Sequence, residues 1–323
     1  MGKTLKGKNI LVTGGAGFIG SNLVDRLLKE EPGSLVVVDN FFLGREKNLS
    51  AAMADQGRIA VYRLDAGNLA AMMHVVQKEK VDVLYNLAVI PLPTSLEYPS
   101  WTIDSNIQIS LTGCELARMG AIKTLIHCSS SEAYGSAVYS TMDEAHPLAP
   151  TTPYAASKVA ADHIVLSYIE TFGIDACIVR PFNNFGPRQN PGSYAGLIPI
   201  VVNKVRSGEP VEIFGDGLQT RDYIYVRYTA ESMIRVFESE ATRGKVINVA
   251  TGREITVNDL VSRLLTVLGA ETHRVVHTAE RPGDVRRHCG DTRLLKELTG
   301  FEPGPITDAD LRETVDWYLG NPK

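Results

Sequence analysis

Two stretches of the chain carry side chains of the kind that move protons. In "KTLIHCSSSEAYG", residues 123–135, a short apolar run ends in Ser129, Ser130 and Ser131, followed by Glu132 and Tyr134. An ordinary strand would end there in a Gly, Pro or Asn turn. A carboxylate beside a row of hydroxyls is suited to general acid–base work. In "TPYAASKVAADHIVLSYIETFG", Tyr154 and Lys158 stand four apart, so a helix projects both from one face. A phenol, with an ordinary pKa near ~10, is a useful base near neutrality only if cations stabilise its phenolate, and Lys158 is such a cation. Alone, this spacing also describes an amphipathic helix with a solvated lysine. What raises it above that is the company it keeps in the chain.

That company begins at the N-terminus. In "KNILVTGGAGFIGSNLVDRLL", Gly14, Gly17 and Gly20 form G-x-x-G-x-x-G, and Gly15, Gly17 and Gly20 also form G-x-G-x-x-G. Both follow a strand and open an amphipathic helix over residues 18–28, the setting in which a tight turn and a helix N-terminus bind a pyrophosphate. The alternative is a glycine-rich turn that binds nothing. Asp39 closes "SLVVVDN" downstream of the loop, where a carboxylate accepts both adenosine ribose hydroxyls and repels a 2′-phosphate, so NAD is favoured over NADP. Asp65, at the end of the third strand, either reaches the adenine edge or serves only as a turn or cap residue. With a nicotinamide ring next to Lys158, the phenolate of Tyr154 would have two cationic neighbours.

The elements that must position these groups alternate. Short aliphatic or β-branched runs at residues 8–13, 35–39, 59–64, 81–87, 123–128 and 175–180 are separated mostly by segments of helical periodicity. This predicts an α/β fold, a Rossmann-type doubly wound parallel sheet with helices on both faces. After residue 180 the pattern breaks up in "RPFNNFGPRQNPGS", before a new helix at 197–206. Residues 1–180 are therefore expected to form the NAD-binding domain. Residues 181–323 are expected to form a smaller substrate-binding region with some return into the first.

Composition excludes several classes. The chain has 323 residues and 44% hydrophobic content, enough for a large core, and its 33 basic and 37 acidic residues give a net charge of −4. No global field gathers nucleic acid or anionic lipid. The apolar run after the basic start, residues 10–12, is too short for a signal peptide or a membrane span, so a soluble cytoplasmic protein is expected. Cys114, Cys128, Cys177 and Cys289 show neither Cys-x-x-Cys nor metal spacing, and no disulfide or metal site is expected. Residues 101–119 and 154–171 are apolar on more than one face and predict a second burial partner, supplied by a homodimer through a four-helix contact.

The chain resembles the extended short-chain dehydrogenase/reductases of the NAD-dependent nucleotide-sugar epimerase/dehydratase family, nearly end to end. The matching pieces are "VTGGAGFIGSNL", "VVVDN", "NLA", "SSSEAYG", "TPYAASK", "RPFNNFGPRQ", "IFGDGLQTRDYIYV" and "ERPGDVRRHCGDTRLL". The resemblance implies that Ser130 is the hydroxyl partner of Tyr154 and that Lys158 binds the nicotinamide ribose. It implies a cofactor site of Gly14, Gly17, Phe18, Ile19, Gly20, Asp39, Asn40, Asp65, Ala66, Leu87 and Ala88. It also implies that Asn183, Arg221 and Arg281 face a substrate diphosphate, which suits forked guanidinium groups, though surface ion pairing is the more common fate of any one arginine. Phe214 is placed to stack near the base of the nucleotide.

In this family the sugar is first oxidised at C4, with Tyr154 taking the hydroxyl proton. Epimerases are similar to one another in a small or apolar residue at the position of Glu132, whereas dehydratases and decarboxylases carry a glutamate there. Glu132 would then remove the C5 proton of a 4-keto sugar. Ser131 stands where dTDP-glucose dehydratases have Asp. The Ser131–Glu132 pair is similar to GDP-mannose dehydratases, to the dehydratases that begin legionaminic-acid synthesis and to UDP-glucuronate decarboxylases. Within that set, "LAVIPLPTSLEYPSWTIDSN" is most similar to the legionaminic-pathway group. The leading expectation is a 4,6-dehydratase of an NDP-hexose or NDP-N-acetylhexosamine. The alternatives are a 4-epimerase, a UDP-glucuronate decarboxylase or, remotely, a non-catalytic NAD-binding protein. Asn86 stands where relatives have His. Arg227 and Tyr228 stand where relatives show a helix-capping Asp, a role Thr229 is expected to take.

Overall fold

The computed structural model describes residues 3–54, 59–139, 141–190, 196–280 and 286–320. Six strands lead: β1 (Asn9–Thr13), β2 (Ser34–Asp39), β3 (Ile59–Arg63), β4 (Val83–Asn86), β5 (Thr124–Cys128) and β6 (Ala176–Pro181). Between them run α1 (Phe18–Leu28), α2 (Ser50–Ala54), α3 (Leu69–Glu79), α4 (Leu92–Glu97), α5 (Pro99–Arg118) and α6 (Pro153–Phe172). The later chain adds β7 (Asn183–Phe185), α7 (Leu197–Ser207), β8 (Val211–Phe214), β9 (Thr220–Arg221), β10 (Tyr223–Tyr225), α8 (Val226–Glu238) and β11 (Val246–Val249). It ends with β12 (Ile255–Thr256), α9 (Val257–Leu268), β13 (Val275–Thr278), β14 (Arg287–His288), α10 (Arg293–Thr299) and α11 (Asp308–Gly320).

The main sheet has seven strands in the order β11-β6-β5-β4-β1-β2-β3, and every pairing in it is parallel. Strand faces alternate between two cores. Ile10, Val12, Leu35 and Val37 pack to one side, and Leu11, Val36 and Val38 to the other. Helices cover both faces, which is why these strands read as continuous apolar runs rather than alternating ones. The order reverses between β1 and β4, and such a switch point opens a crevice at the carboxyl ends of the strands.

The chain after β6 builds a third core, in which Phe185, Ile198, Val202 and Ile213 pack with Leu260, Leu264, Leu311 and Val315. It does not stay apart from the sheet, because β11 pairs with β6 from Val246 opposite Ile178 to Val249 opposite Pro181. The partly buried Phe18 and Ile19, at the start of α1, pack against that third core. The glycine loop therefore lies where the two parts meet.

Candidate active site

The glycine loop leaves β1 at Gly14, whose φ of 66° is left-handed and suits glycine. The Gly17 amide donates to the Gly14 carbonyl at 3.0 Å. A Cβ on Gly20 would stand 2.1 Å from the Gly14 oxygen, and one on Gly14 would stand 2.9 Å from the Ala88 Cα. Gly17 caps α1 without a side-chain hydrogen bond, so the first amides of the helix face the cleft with the positive end of its dipole. Asp39 ends β2, nearly buried, and its carboxylate accepts from the Ala16 amide at 2.9 Å and the Phe41 amide at 2.8 Å. Burial pushes its pKa up against those two bonds. Each oxygen keeps a lone pair, so the group still has room to accept a ribose diol. A cradle that only glycine fits, an open helix N-terminus and a fixed carboxylate together suit NAD.

The cleft above this loop has a volume of about 390 Å³, within the usual range for ligand sites. Every residue expected to touch the cofactor lines it, as do Ser130 and Tyr154. Asp65 does both things open to it, lining the cleft and accepting the Gly67 amide at 2.8 Å in a turn. The cap of α3 is Asn68 instead.

Ser130, Tyr154 and Lys158 meet at the cleft wall because β5 and α6 deliver them from two sides. Thr152 caps α6 through the Ala155 amide at 3.1 Å, and Pro153 follows it, so Tyr154 sits in the first helical turn. Ser130 caps the single 3₁₀ turn Ser131–Tyr134, its oxygen accepting the Glu132 amide at 3.2 Å. Its hydroxyl faces the Tyr154 phenol, whose pKa burial pushes above the ordinary value while Ser130 opposes the rise. The buried Lys158 ammonium donates to the Cys128 carbonyl at 2.8 Å, and burial pushes its pKa down. The Cys128 thiol is pushed up to about 11 by burial, which leaves it protonated at neutral pH.

Glu132 is half-buried inside the turn that Ser130 caps, two residues further on. Burial pushes its carboxyl pKa up, and the Arg221 guanidinium pulls against that. Arg221 lies on β9 and donates to the Thr220 carbonyl at 2.8 Å. Asn183, at the start of β7, reaches the Asp222 carbonyl and the His288 ring, each at 3.4 Å. Glu132, Arg221 and Asn183 are thus gathered into one neighbourhood. Phe214, half-buried at the end of β8, is held separately through its carbonyl, which accepts from Gln219 at 2.9 Å. Arg281 lies outside the described residues.

Two departures from the family pattern have structural accounts. Asn86 is buried, accepting from the Thr13 hydroxyl at 2.7 Å and donating to the Ile109 carbonyl at 3.3 Å. Arg227 pairs with Glu313 of α11 and lies over the Tyr225 ring at 5.9 Å; it faces that helix. The expectation that Thr229 caps α8 is corrected: the helix starts at Val226 with Tyr225 as its cap and no side-chain bond. Thr229 already lies within the helix and donates to Asn184 at 2.6 Å.

Sequence reading missed His288. It is buried on β14, opposite Arg221 of β9, with its ring 4.9 Å from Phe182. Burial and the nearby Arg221 pull its pKa down to about 4, so it is neutral at pH 7. A two-residue strand pairing, invisible to periodicity, brings it there. Ser129, Phe182, Asn184 and Gln189, which also line the cleft, were missed too; only their closeness to quoted motifs was a signal.

The doubly wound sheet with a glycine cradle at its switch point defines a dinucleotide-binding α/β protein. Residues 10–250 match the NAD dependent epimerase/dehydratase family, and the chain belongs to that family. The UDP-glucose 4-epimerase of Mycolicibacterium smegmatis is 32% identical over 310 residues, spanning 95% of this chain and 97% of its own. Among solved structures, a UDP-N-acetylglucosamine 4-epimerase from Methanobrevibacter ruminantium superposes with a TM-score of 0.90 at 34% identity, covering 98% of this chain and 99% of that one. A dTDP-glucose 4,6-dehydratase from Streptomyces venezuelae, solved with NAD bound, superposes with a TM-score of 0.88 at 30% identity, covering 97% of each chain. The protein is an NAD-dependent enzyme.

Proposed function

We propose that this enzyme is a 4,6-dehydratase of a nucleotide-linked hexose or N-acetylhexosamine. The observation that carries the reading is Glu132: a half-buried carboxylate with a raised pKa, inside the turn capped by Ser130 and beside Arg221. A base with such an elevated pKa is matched to a carbon acid. The alternative, a 4-epimerase, is favoured by the epimerases among the relatives. It needs no carboxylate at C5. A UDP-glucuronate decarboxylase is a third reading that Arg221 does not separate from the other two.

NAD, when bound, accepts a hydride from the sugar and gives it back. Tyr154 takes the C4 hydroxyl proton, with Ser130 holding the same oxygen and Lys158 offsetting the phenolate charge. The C4 carbonyl acidifies the C5 proton, and Glu132 removes it as the C6–oxygen bond breaks. The departing hydroxide gains one proton and leaves as water; Glu132 later returns its own proton to C5. The proton taken at C4 equals the one that leaves in water, so the protein ends as it began. Ser131 has no acidic proton for that transfer, so it does not replace the aspartate of the dTDP-glucose enzymes.

Residues 181–323 are assigned to the nucleotide sugar. Asn183, Arg221 and Arg281 are assigned to its diphosphate and Phe214 to its base, whether uridine, guanosine or thymidine. Ile103, Ile107 and Leu111 of α5 and Val159, Ile164, Leu166 and Ile169 of α6 stay only partly covered in the single chain, which supports a homodimer through these helices. Among the described residues no helix is long and apolar enough to cross a membrane. A cytoplasmic setting is the one in which four thiols stay reduced.

The test is mass spectrometry of products from UDP-, GDP- and dTDP-linked hexoses, N-acetylhexosamines and hexuronates. Loss of one water establishes the dehydratase. Unchanged mass with a new chromatographic peak gives the epimerase, loss of carbon dioxide the decarboxylase, and no change anywhere a binding protein. Glu132→Gln should accumulate NADH absorbance and lose turnover by roughly 10²–10⁴-fold; full turnover in that variant removes Glu132 from the reaction.

A further inference from the structure

Beneath the Tyr154–Lys158 pair lies an ion pair that the reaction does not use. Tyr154, Lys158 and Asp162 follow at four-residue steps on one face of α6. Asp162 is fully buried, and its Oδ2 accepts from Arg180 of β6 at 2.9 Å from Nε and 2.8 Å from Nη2. The Arg180 guanidinium lies 4.8 Å from the centre of the Tyr134 ring, and the Tyr134 hydroxyl donates to Asn248 of β11 at 2.7 Å. The Ser129 hydroxyl, at the cleft wall, faces the same carboxylate.

A buried ion pair is a poor way to gain stability, since well-packed apolar side chains of the same volume do as well or better. This one is also not isolated. Lys158 is held near Asp162 on the same helix, so the floor of the site carries two cations with one anion between them. A lysine whose only bond to the described protein is to the Cys128 carbonyl is fixed in direction by that bond and in charge by what lies below it.

We propose that the buried Asp162–Arg180 pair acts through Lys158, the Asp162 carboxylate offsetting part of the Lys158 charge beneath Tyr154 and so tuning the phenol. This rests on the reading of Tyr154 as the base but not on which sugar is bound. Of the helices packed on α6, α5 carries Asp104, Cys114, Glu115 and Arg118, and α4 carries Glu97; Glu115 pairs with Arg118 and accepts from Tyr168, near the far end of α6 from Tyr154. From β5 and the turn after it come His127, Cys128, Ser129, Ser130 and Glu132; from β6 comes Arg180; from the 3₁₀ turn comes Tyr134. Burial pulls His127 down to about 3 and pushes Cys128 up to about 11, so both are neutral near pH 7. The charges left to act on Tyr154 are Lys158, Asp162, Arg180 and Glu132.

The sign follows. Tyr154 and Asp162 are eight residues apart, a little over two helical turns and about 12 Å along the axis. At an effective dielectric of about 20, an anion at that distance raises a phenol by about one pH unit. Asp162 is among the groups that raise Tyr154, and the Arg180 guanidinium opposes it. Removing both charges should therefore make Tyr154 more acidic.

The experiment is an ultraviolet phenolate titration of the NAD-bound protein, with each form differenced against the same protein carrying Tyr154→Phe. Asp162→Asn/Arg180→Met keeps the volume and removes both charges. Its Tyr154 midpoint should move down by about half a pH unit or more, while Asp162→Glu, which keeps the charge, should stay close to the parent. An unchanged midpoint in the neutral pair, with a changed melting temperature alone, makes the pair purely structural and overturns the proposal. Failure of the neutral pair to fold overturns it as well. A Tyr154→Phe difference with no phenolate signal instead removes Tyr154 as an ionising group, which sinks the base assignment rather than the charge offset.

Discussion

The Thr13 hydroxyl, at the end of β1, donates to the Asn86 side chain at the end of β4 at 2.7 Å, tying the two strands between which the sheet order reverses. The same hydroxyl oxygen accepts the amides of Leu87 and Ala88, at 3.0 and 3.1 Å. One small side chain thereby sets the course of a segment that lines the cofactor cleft. Thr13→Val keeps the shape and strands these three partners. The expected cost is about 2–3 kcal/mol of stability and a weaker NAD affinity, by about tenfold. Denaturant unfolding and calorimetric NAD titration check both, and an unchanged NAD affinity would show that the segment is held by something else.

Gly20→Ala places a methyl group 2.1 Å from the Gly14 carbonyl oxygen, inside any tolerable contact. The loop must then move away from the start of α1, where the pyrophosphate belongs. NAD binding should weaken by at least about 100-fold, with far-ultraviolet circular dichroism close to that of the parent. Equal NAD affinity in the two proteins would refute a pyrophosphate site at this loop.

Glu132 also makes a stability prediction. Burial raises its pKa in the folded protein, so between the usual carboxylate range and that raised value the folded state holds more protons than the unfolded one. Its contribution to stability therefore falls as pH rises through that window and is lowest above it. Glu132→Gln removes this cost. Its melting temperature should exceed the parent's by about 2 °C at pH 7, and the gain should vanish near pH 4. A gain independent of pH would assign it to packing.

Asp222 is fully buried and receives the Thr251 amide at 3.0 Å and hydroxyl at 2.6 Å on one oxygen. The Gly252 amide at 2.9 Å and the Gly290 amide at 3.3 Å reach the other. It joins the strands carrying Arg221 and His288 to the end of β11. Asp222→Ala leaves four donors unpaired and should cost at least about 3 kcal/mol, read as a lowered denaturant midpoint. Asp222→Asn should keep part of that. If Asp222→Ala unfolds at the parent's midpoint, water or another group takes over the bonds.

Much of this was legible in residues close together in the chain. The β1–α1 loop, Asp39, the turn after β5 and the Tyr154–Lys158 step are local, and their geometry is read from spacing because a strand, a turn and a helix fix it over a few residues; singling out Ser130, and raising the Tyr154–Lys158 step above an ordinary helix, took the rest of the chain and the family resemblance. Helix α1 was expected over residues 18–28 and forms over Phe18–Leu28. Thr229 was misread because the sequence suggested where α8 begins, whereas the hydrogen bond to Asn184, 45 residues away, decides what its hydroxyl does.

By itself the sequence determined the alternating elements, the glycine cradle, the acid at the end of β2 and the four-residue step from Tyr154 to Lys158 on one helix face, all set by periodicity and short-range sterics. Only the tertiary structure decided what stands next to them. It brought β11 to β6, set His288 opposite Arg221, turned Arg227 toward Glu313 and buried Asp162 against Arg180 under the reacting helix. Those contacts join residues far apart in the chain, and their geometry depends on how helices and strands pack against the sheet, which no local pattern of residues encodes.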